Sequence, residues 1–190
     1  MLIDSSHTTG DVWQVVVQEL RRAIVDHRHP FRFVVLGTTD GREVSQRYVV
    51  LRDLDDSLNF YIFTDTRTQK VDHLNKLPNC SLLFYHDRKR VQIRINGVVE
   101  LHQHAGLMER YWQKVQGEAQ KAYTRSKAPG TQISTWEEAH HWDESLDSEH
   151  FTVLKIIPAQ VDVLQLNGLE HFRVRFSKLN QEWTGQRLVP

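Results

Sequence analysis

Two short stretches of the chain place cations where they could hold an anion. In Arg47-Tyr48-Val49-Val50-Leu51-Arg52 a guanidinium stands at each end of an apolar run. Alternation along a strand puts Arg47, Val49 and Leu51 on one face and Tyr48, Val50 and Arg52 on the other. The two arginines therefore serve two places, unless a bulge realigns them. Arginines at the wet ends of a strand are an equally good reading. The second stretch, Phe63-Thr64-Asp65-Thr66-Arg67-Thr68-Gln69-Lys70, closes an apolar run and opens a short helix. Free backbone N–H groups and the positive end of the helix dipole favour phosphate there. Thr64, Thr66 and Thr68 offer hydroxyls, and Lys70 adds a full charge. The glycines of a P-loop are absent, and an ordinary capped helix start is the competing reading.

Two further stretches carry polar groups on strands. Val91 to Gly97 alternates, burying Val91, Ile93 and Ile95 and presenting Gln92, Arg94 and Asn96. A plain amphipathic strand accounts for it. His171-Phe172-Arg173-Val174-Arg175-Phe176 suggests a solvated edge or a subunit contact. His102 and His104 lie two apart on a strand and His140-His141 are adjacent. Adjacent side chains diverge, and the spacing matches no zinc shell, so no metal is expected. Cys80, the one cysteine, sits in the apolar run Leu77 to Tyr85. It reads as core filler rather than nucleophile, and it has no cysteine to pair with.

These residues need a scaffold. Asp11 to Asp26 has apolar residues at helical spacing (Trp13, Val16, Val17, Leu20, Ile24), with Gln14, Glu19, Arg21 and Arg22 facing away. Strands are expected at Phe31 to Thr38, Val44 to Arg52, Leu58 to Thr64, Ser81 to His86 and Val91 to His104. Short helices are expected at Gln69 to Leu77 and Gly106 to about Ala122. Strands resume at Phe151 to Ile157, stop at Pro158, and continue through Val161 to Leu166, His171 to Lys178 and Glu182 to Val189. Gly97 marks a bulge or a close-packing point. Tight turns joining many strands favour a closed antiparallel barrel over a βαβ sheet. One domain over residues 1–190 is expected, with a tail at 1–10 and a polar, loop-rich insert at 131–150.

Twenty-four basic residues cancel twenty-four acidic ones. Non-specific nucleic-acid binding needs a basic surface, so any anion site must be local. No run approaches the roughly 18 apolar residues of a membrane span, and Met1 to Gly10 lacks a signal-peptide core. A cytoplasmic protein is expected.

The ordered set Arg-x-Val-x-Leu-Arg, then Phe-Thr-Asp followed by Lys, then Gln-Ile-Arg-Ile-x-Gly, then a closing Trp and Arg-Leu-x-Pro resembles the pyridoxamine 5′-phosphate oxidase-like flavoproteins. The likeness runs from about Val12 to Pro190. It implies a mainly β fold with flanking α-helices, a six-stranded antiparallel split β-barrel of the FMN-binding type. It also implies a homodimer with FMN at the subunit interface. Carried over, Arg47 and Lys70 contact the FMN phosphate, with Thr64 adding a hydrogen bond, and Val49 and Val50 line the flavin. Tyr48, Leu51, Arg52, Phe63 and Gln69 belong to the same contact segments. Gln92 reaches the polar part of the cofactor, and Arg175 comes from the neighbouring chain.

The departures fall on the substrate side. Gln69 replaces an arginine, and Arg52 replaces a lysine that helps hold the substrate phosphate. Val115 and Ala119 stand at the spacing from Tyr111 where an arginine and a serine are expected. The Arg-Leu-His triplet is absent, and Leu164 lies about where a flavin-stacking Trp is expected. The resemblance thus implies an FMN-dependent oxidoreductase of unknown substrate, poorly suited to pyridoxamine phosphate. A non-catalytic flavin-binding or haem-binding module, or a structural dimer, stays open.

Overall fold

A computed structural model of the chain describes residues 1–102, 105–115, 117–142 and 146–190. Helix α1 (Thr9–Val25) starts at a capping box. Thr8 Oγ1 accepts from the Asp11 N–H, and the Asp11 carboxylate accepts from the Thr8 N–H, which satisfies two of the end's orphan donors. After a 3-10 turn at Pro30–Arg32 come β1 (Phe33–Thr39), β2 (Val44–Leu54), β3 (Phe60–Asp65), α2 (Gln69–Lys76), β4 (Asn79–His86), β5 (Val91–His102) and α3 (Ala105–Lys114). The chain ends with β6 (Phe151–Gln165), β7 (Phe172–Leu179) and β8 (Glu182–Leu188).

The strand order is β3-β2-β1-β4-β5-β6, and β3 also pairs with β6. All pairings are antiparallel. Six strands therefore close into a barrel, and β7 and β8 extend the sheet beyond β6. Closure leaves no barrel edge unpaired. Alternation fills the interior: Val34, Leu36, Leu51, Ile62, Leu82 and Ile95 are fully buried. Each contributes roughly 1.5–3 kcal/mol of transfer free energy. The outer face of β3 carries a second apolar cluster, where Tyr61 and Phe63 pack with Tyr111, Val115 and Phe151.

Four expectations are corrected. Glu19 does not face solvent: it is 5% exposed, and its carboxylate meets Lys89 at 2.7 Å, Arg22 at 2.8 Å and His29 at 3.2 Å. Its helical position points it at the β4–β5 turn, where partners compensate the buried charge. Pro158 does not interrupt its strand. The register shifts between Asn96 and Gly97, so that Gly97 faces Pro158 and the extra residue of a bulge absorbs the missing N–H. A Cβ on Gly97 would stand 2.2 Å from the Ile157 carbonyl oxygen; the close approach expected of this glycine is therefore present. The helix expected to reach Ala122 ends at Lys114, and Gly117, at φ 57°, opens a 3-10 turn through Tyr123. Finally, Thr68 does not present its hydroxyl outward. It donates at 2.8 Å to the Asp65 carbonyl and is buried.

The segment before α1 packs on the barrel, with Ile3 buried and the Leu2 N–H donating to Gln165 Oε1 at 2.8 Å. Residues 131–142 are loop and a 3-10 turn (Trp136–His140), tied back by a bridge between Arg125 and Trp142. No helix is long and apolar enough to cross a membrane among the described residues.

Candidate functional site

Arg47 sits on the inner face of β2, opposite Leu36 of β1, at the end of the barrel that α2 covers. Its Nη1 donates to Thr38 Oγ1 at 2.7 Å and to the Leu36 carbonyl at 3.3 Å. Thr64 lies on the inner face at the end of β3, continuing the Phe60, Ile62 row. Lys70, in the first turn of α2, donates to Thr64 Oγ1 at 2.8 Å. All the acceptors are neutral. Among the described residues neither Arg47 nor Lys70 makes an ion pair with a carboxylate. The neighbouring Asp65 is taken up by Arg67 through a two-pronged pair at 3.1 and 2.8 Å.

The electrostatics follow from this geometry. Burial, and then the positive charge of Arg47, bring the Lys70 ammonium down to about 8 against a partial opposing pull from Asp65. Burial also lowers Arg47. Two like charges held together, half-desolvated and unneutralised, favour an incoming dianion. The N–H groups of Gln69 and Lys70 take no backbone acceptor among the described residues, and they add to the field of the helix start. The set fits a phosphate monoester: two cations, one hydroxyl and free amides.

The remaining contact candidates divide by face. Arg52 is the extra residue of a β2 bulge, because Leu51 pairs with Ile62 and Asp53 with Tyr61. The bulge does not bring it round to Arg47. Its guanidinium lies 5.5 Å from the Phe63 ring centroid on the outer side of the barrel. Arg52 and Phe63 thus share one place and Arg47 another. Leu51 is fully buried, so its side chain is core; Tyr48 is 75% exposed on the outer face, and Val49 packs against the core. Val50 is half-buried and Gln69 is exposed.

Gln92 and Arg175 belong to a second polar cluster on the outer face of β5, β6 and β7. Gln92 stands opposite Leu164, and Arg94 opposite Asp162, which in turn faces Arg175. Arg173 and Arg175 share this face instead of solvating an edge. Both converge on Asp162 at 3.0–3.1 Å, with Arg94 at 3.5 Å. Burial raises the Asp162 carboxyl, but hydrogen bonds from Arg173 and Arg175 and the nearby charges outweigh it and hold it low. Three guanidinium groups share one carboxylate, so this patch too is cationic. It lies outside the barrel, whereas Arg47 lies on the inner face.

Thr38, His73 and Asp162 were invisible to motif reasoning. Thr38 reads as the edge of the Thr39-Asp40-Gly41 turn, His73 as a polar position on a short helix, and Asp162 as an isolated acid in an apolar strand. Only the pairing registers, and for His73 the placement of α2, bring them to their partners. Cys80 is buried, and burial pushes its thiol up to about 12. No group of three or more metal-ligating side chains is found among the described residues. His104 lies outside the described residues, and His140 stacks on Trp142 at 6.0 Å.

Residues 20–165 match the family model described as pyridoxamine 5′-phosphate oxidase. The chain belongs to this family. It is 26% identical over 157 residues to the pyridoxine/pyridoxamine 5′-phosphate oxidase of Psychromonas ingrahamii, a match covering 80% of this chain and 58% of that protein. The match thus spans less than two thirds of that relative's length. It is 25% identical over 186 residues to the Pelagibacter ubique enzyme of the same name, covering 95% and 74%. Among solved structures, a pyridoxamine 5′-phosphate oxidase-related, FMN binding protein from Nostoc punctiforme superposes with a TM-score of 0.78 at 23% identity, covering 93% of this chain and 96% of that one. PhzG from Burkholderia lata, solved with tetrahydrophenazine-1-carboxylic acid, gives 0.79 at 15% identity and full coverage of both. The family's fold, a closed six-stranded antiparallel barrel with added strands and flanking helices, is the fold seen here.

Proposed function

We propose that this chain binds FMN at the α2-capped end of the barrel, in a groove completed by a second copy, and serves as an FMN-dependent oxidoreductase of a small molecule. The observation that carries the reading is the convergence of Arg47 and Lys70, half-buried and without a carboxylate, beside the Thr64 hydroxyl. Membership of the family and the FMN-binding description of the Nostoc relative support it. When bound, FMN supplies a ring that exchanges a hydride with substrate. This chain's own residues hold the phosphate, through Arg47, Lys70 and Thr64, and offer the outer strand face to the ring.

The exposed apolar residues Phe33, Tyr48, Tyr85 and Val98 stud that outer face, an arrangement suited to burial against a second copy. Arg175 and Gln92 of the second copy are the groups that would then reach the cofactor. Pyridoxamine phosphate is a poor candidate substrate. Val115 is buried in the outer apolar cluster, and the Tyr111 hydroxyl is directed to Asp53 at 3.4 Å. The groups that would grip a second phosphate are therefore a methyl-lined core and a carboxylate.

An absorbance spectrum of the purified protein, followed by titration with FMN and with riboflavin, tests the reading. A two-banded flavin spectrum and clear preference for FMN are expected. A Soret band, or a colourless protein indifferent to FMN, overturns it.

A further inference from the structure

The geometry points to His73 and Thr38 as positioning residues that aim Arg47 at the cofactor phosphate, an inference that rests on the FMN reading above. Thr38 is 2% exposed and His73 is 5% exposed. Thr38 Oγ1 accepts from Arg47 Nη1 at 2.7 Å and lies 3.3 Å from His73 Nδ1. A guanidinium only donates, so the threonine oxygen must accept from it. The hydroxyl's own proton then needs an acceptor, because an unsatisfied buried donor is costly. Among the described residues His73 Nδ1 is the acceptor within reach. The chain of donors thus runs from Arg47 to Thr38 to His73.

The arrangement solves a specific problem. Arg47 has no carboxylate to fix it, and its long side chain samples many rotamers when unheld. A carboxylate partner would fix it but would also neutralise the charge the phosphate needs. A neutral hydroxyl, itself locked by a helix-borne imidazole, orients the guanidinium and leaves the charge available. The same relay links α2 to β1, so His73 and Lys70, three residues apart on α2, set both cations from one helix.

The test is an affinity comparison of FMN with riboflavin, which lacks the phosphate, in the full-length protein. Thr38→Val keeps the side-chain shape and removes the relay. It is expected to weaken FMN about five-fold, the scale of one orienting hydrogen bond, and to leave riboflavin unchanged. Thr38→Ser should restore FMN binding, and His73→Leu should give a smaller loss in the same ligand. In an Arg47→Ala background Thr38→Val should have no further effect. Equal losses for both flavins, or an undiminished effect without Arg47, overturn the relay while leaving the FMN reading intact. A wild-type protein that does not distinguish FMN from riboflavin overturns both. Thermal melts identify any variant that has lost its fold, and the serine variant keeps the comparison decisive in that case.

Discussion

The Lys70 ammonium donates to Thr64 Oγ1 at 2.8 Å while sharing its half-buried site with the Arg47 guanidinium. The hydroxyl is neutral and cannot discharge the pair. Their mutual repulsion is a cost in the free protein, and an anion bound between them removes it. The site is therefore best understood as poised for a ligand carrying the missing negative charge.

Removing either cation should weaken FMN. Lys70→Ala and Arg47→Ala are each expected to cost about ten-fold or more in affinity, the scale of a charge-assisted phosphate contact. Riboflavin affinity should hardly move in either variant. Fluorescence-quenching titrations measure both; retention of FMN at wild-type affinity would show that the phosphate lies elsewhere.

FMN affinity should also depend on pH through Lys70. Its free-state value is lowered to about 8, whereas a bound phosphate dianion stabilises the ammonium and raises it. Binding is thus strongest where Lys70 is already protonated, below about pH 8, and weakens as pH rises above it. The slope approaches ten-fold per pH unit. A Lys70→Arg variant should lose this dependence, since its guanidinium stays charged. A flat FMN profile from pH 7 to 9.5 in the wild type would contradict the assignment.

Gly97→Ala should be among the most damaging single substitutions. The new methyl would stand 2.2 Å from the Ile157 carbonyl oxygen and 2.9 Å from its carbon, both backbone atoms that cannot swing aside. The bulge against Pro158 would have to open. A loss of about 3 kcal/mol is expected, read from denaturant unfolding. A change under 1 kcal/mol would mean the two strands separate more easily than their register suggests.

Glu19 should make a measurable contribution to acid stability. Burial raises its carboxyl, but Lys89, His29 and Arg22 outweigh burial and hold it below its ordinary value. A carboxyl lowered in the folded state stabilises the fold above its unfolded value of about 4.3. That contribution fades as pH falls through the lower folded value. Glu19→Gln should cost about 2 kcal/mol at pH 7 and flatten the pH dependence below 4.5. Urea midpoints at pH 7, 5 and 3.5 would expose an unchanged profile, which would rule out this role.

How far the molecule could be read before folding depended on the range of each interaction. Local rules were enough for most of the architecture. The turn at Thr39-Asp40-Gly41 and the period-two apolar runs are encoded within a few residues of where they act. The candidacy of Lys70 came from the same kind of local rule, a strand end followed by a helix start, and Arg47 stood out as a cation at one end of an apolar strand. Tertiary structure alone decided what surrounds them. Pairing of β1 with β2 sets Thr38 beside Arg47, and the placement of α2 brings in His73 from 35 residues away. Pairing of β6 with β5 and β7 closes three arginines on Asp162, and burial of one helix position turns Glu19 from a surface acid into an internal ion-pair hub. Composition and periodicity determine which face of an element is apolar. They carry no information on which distant polar group shares a register with it, and a charge draws its function from that neighbour.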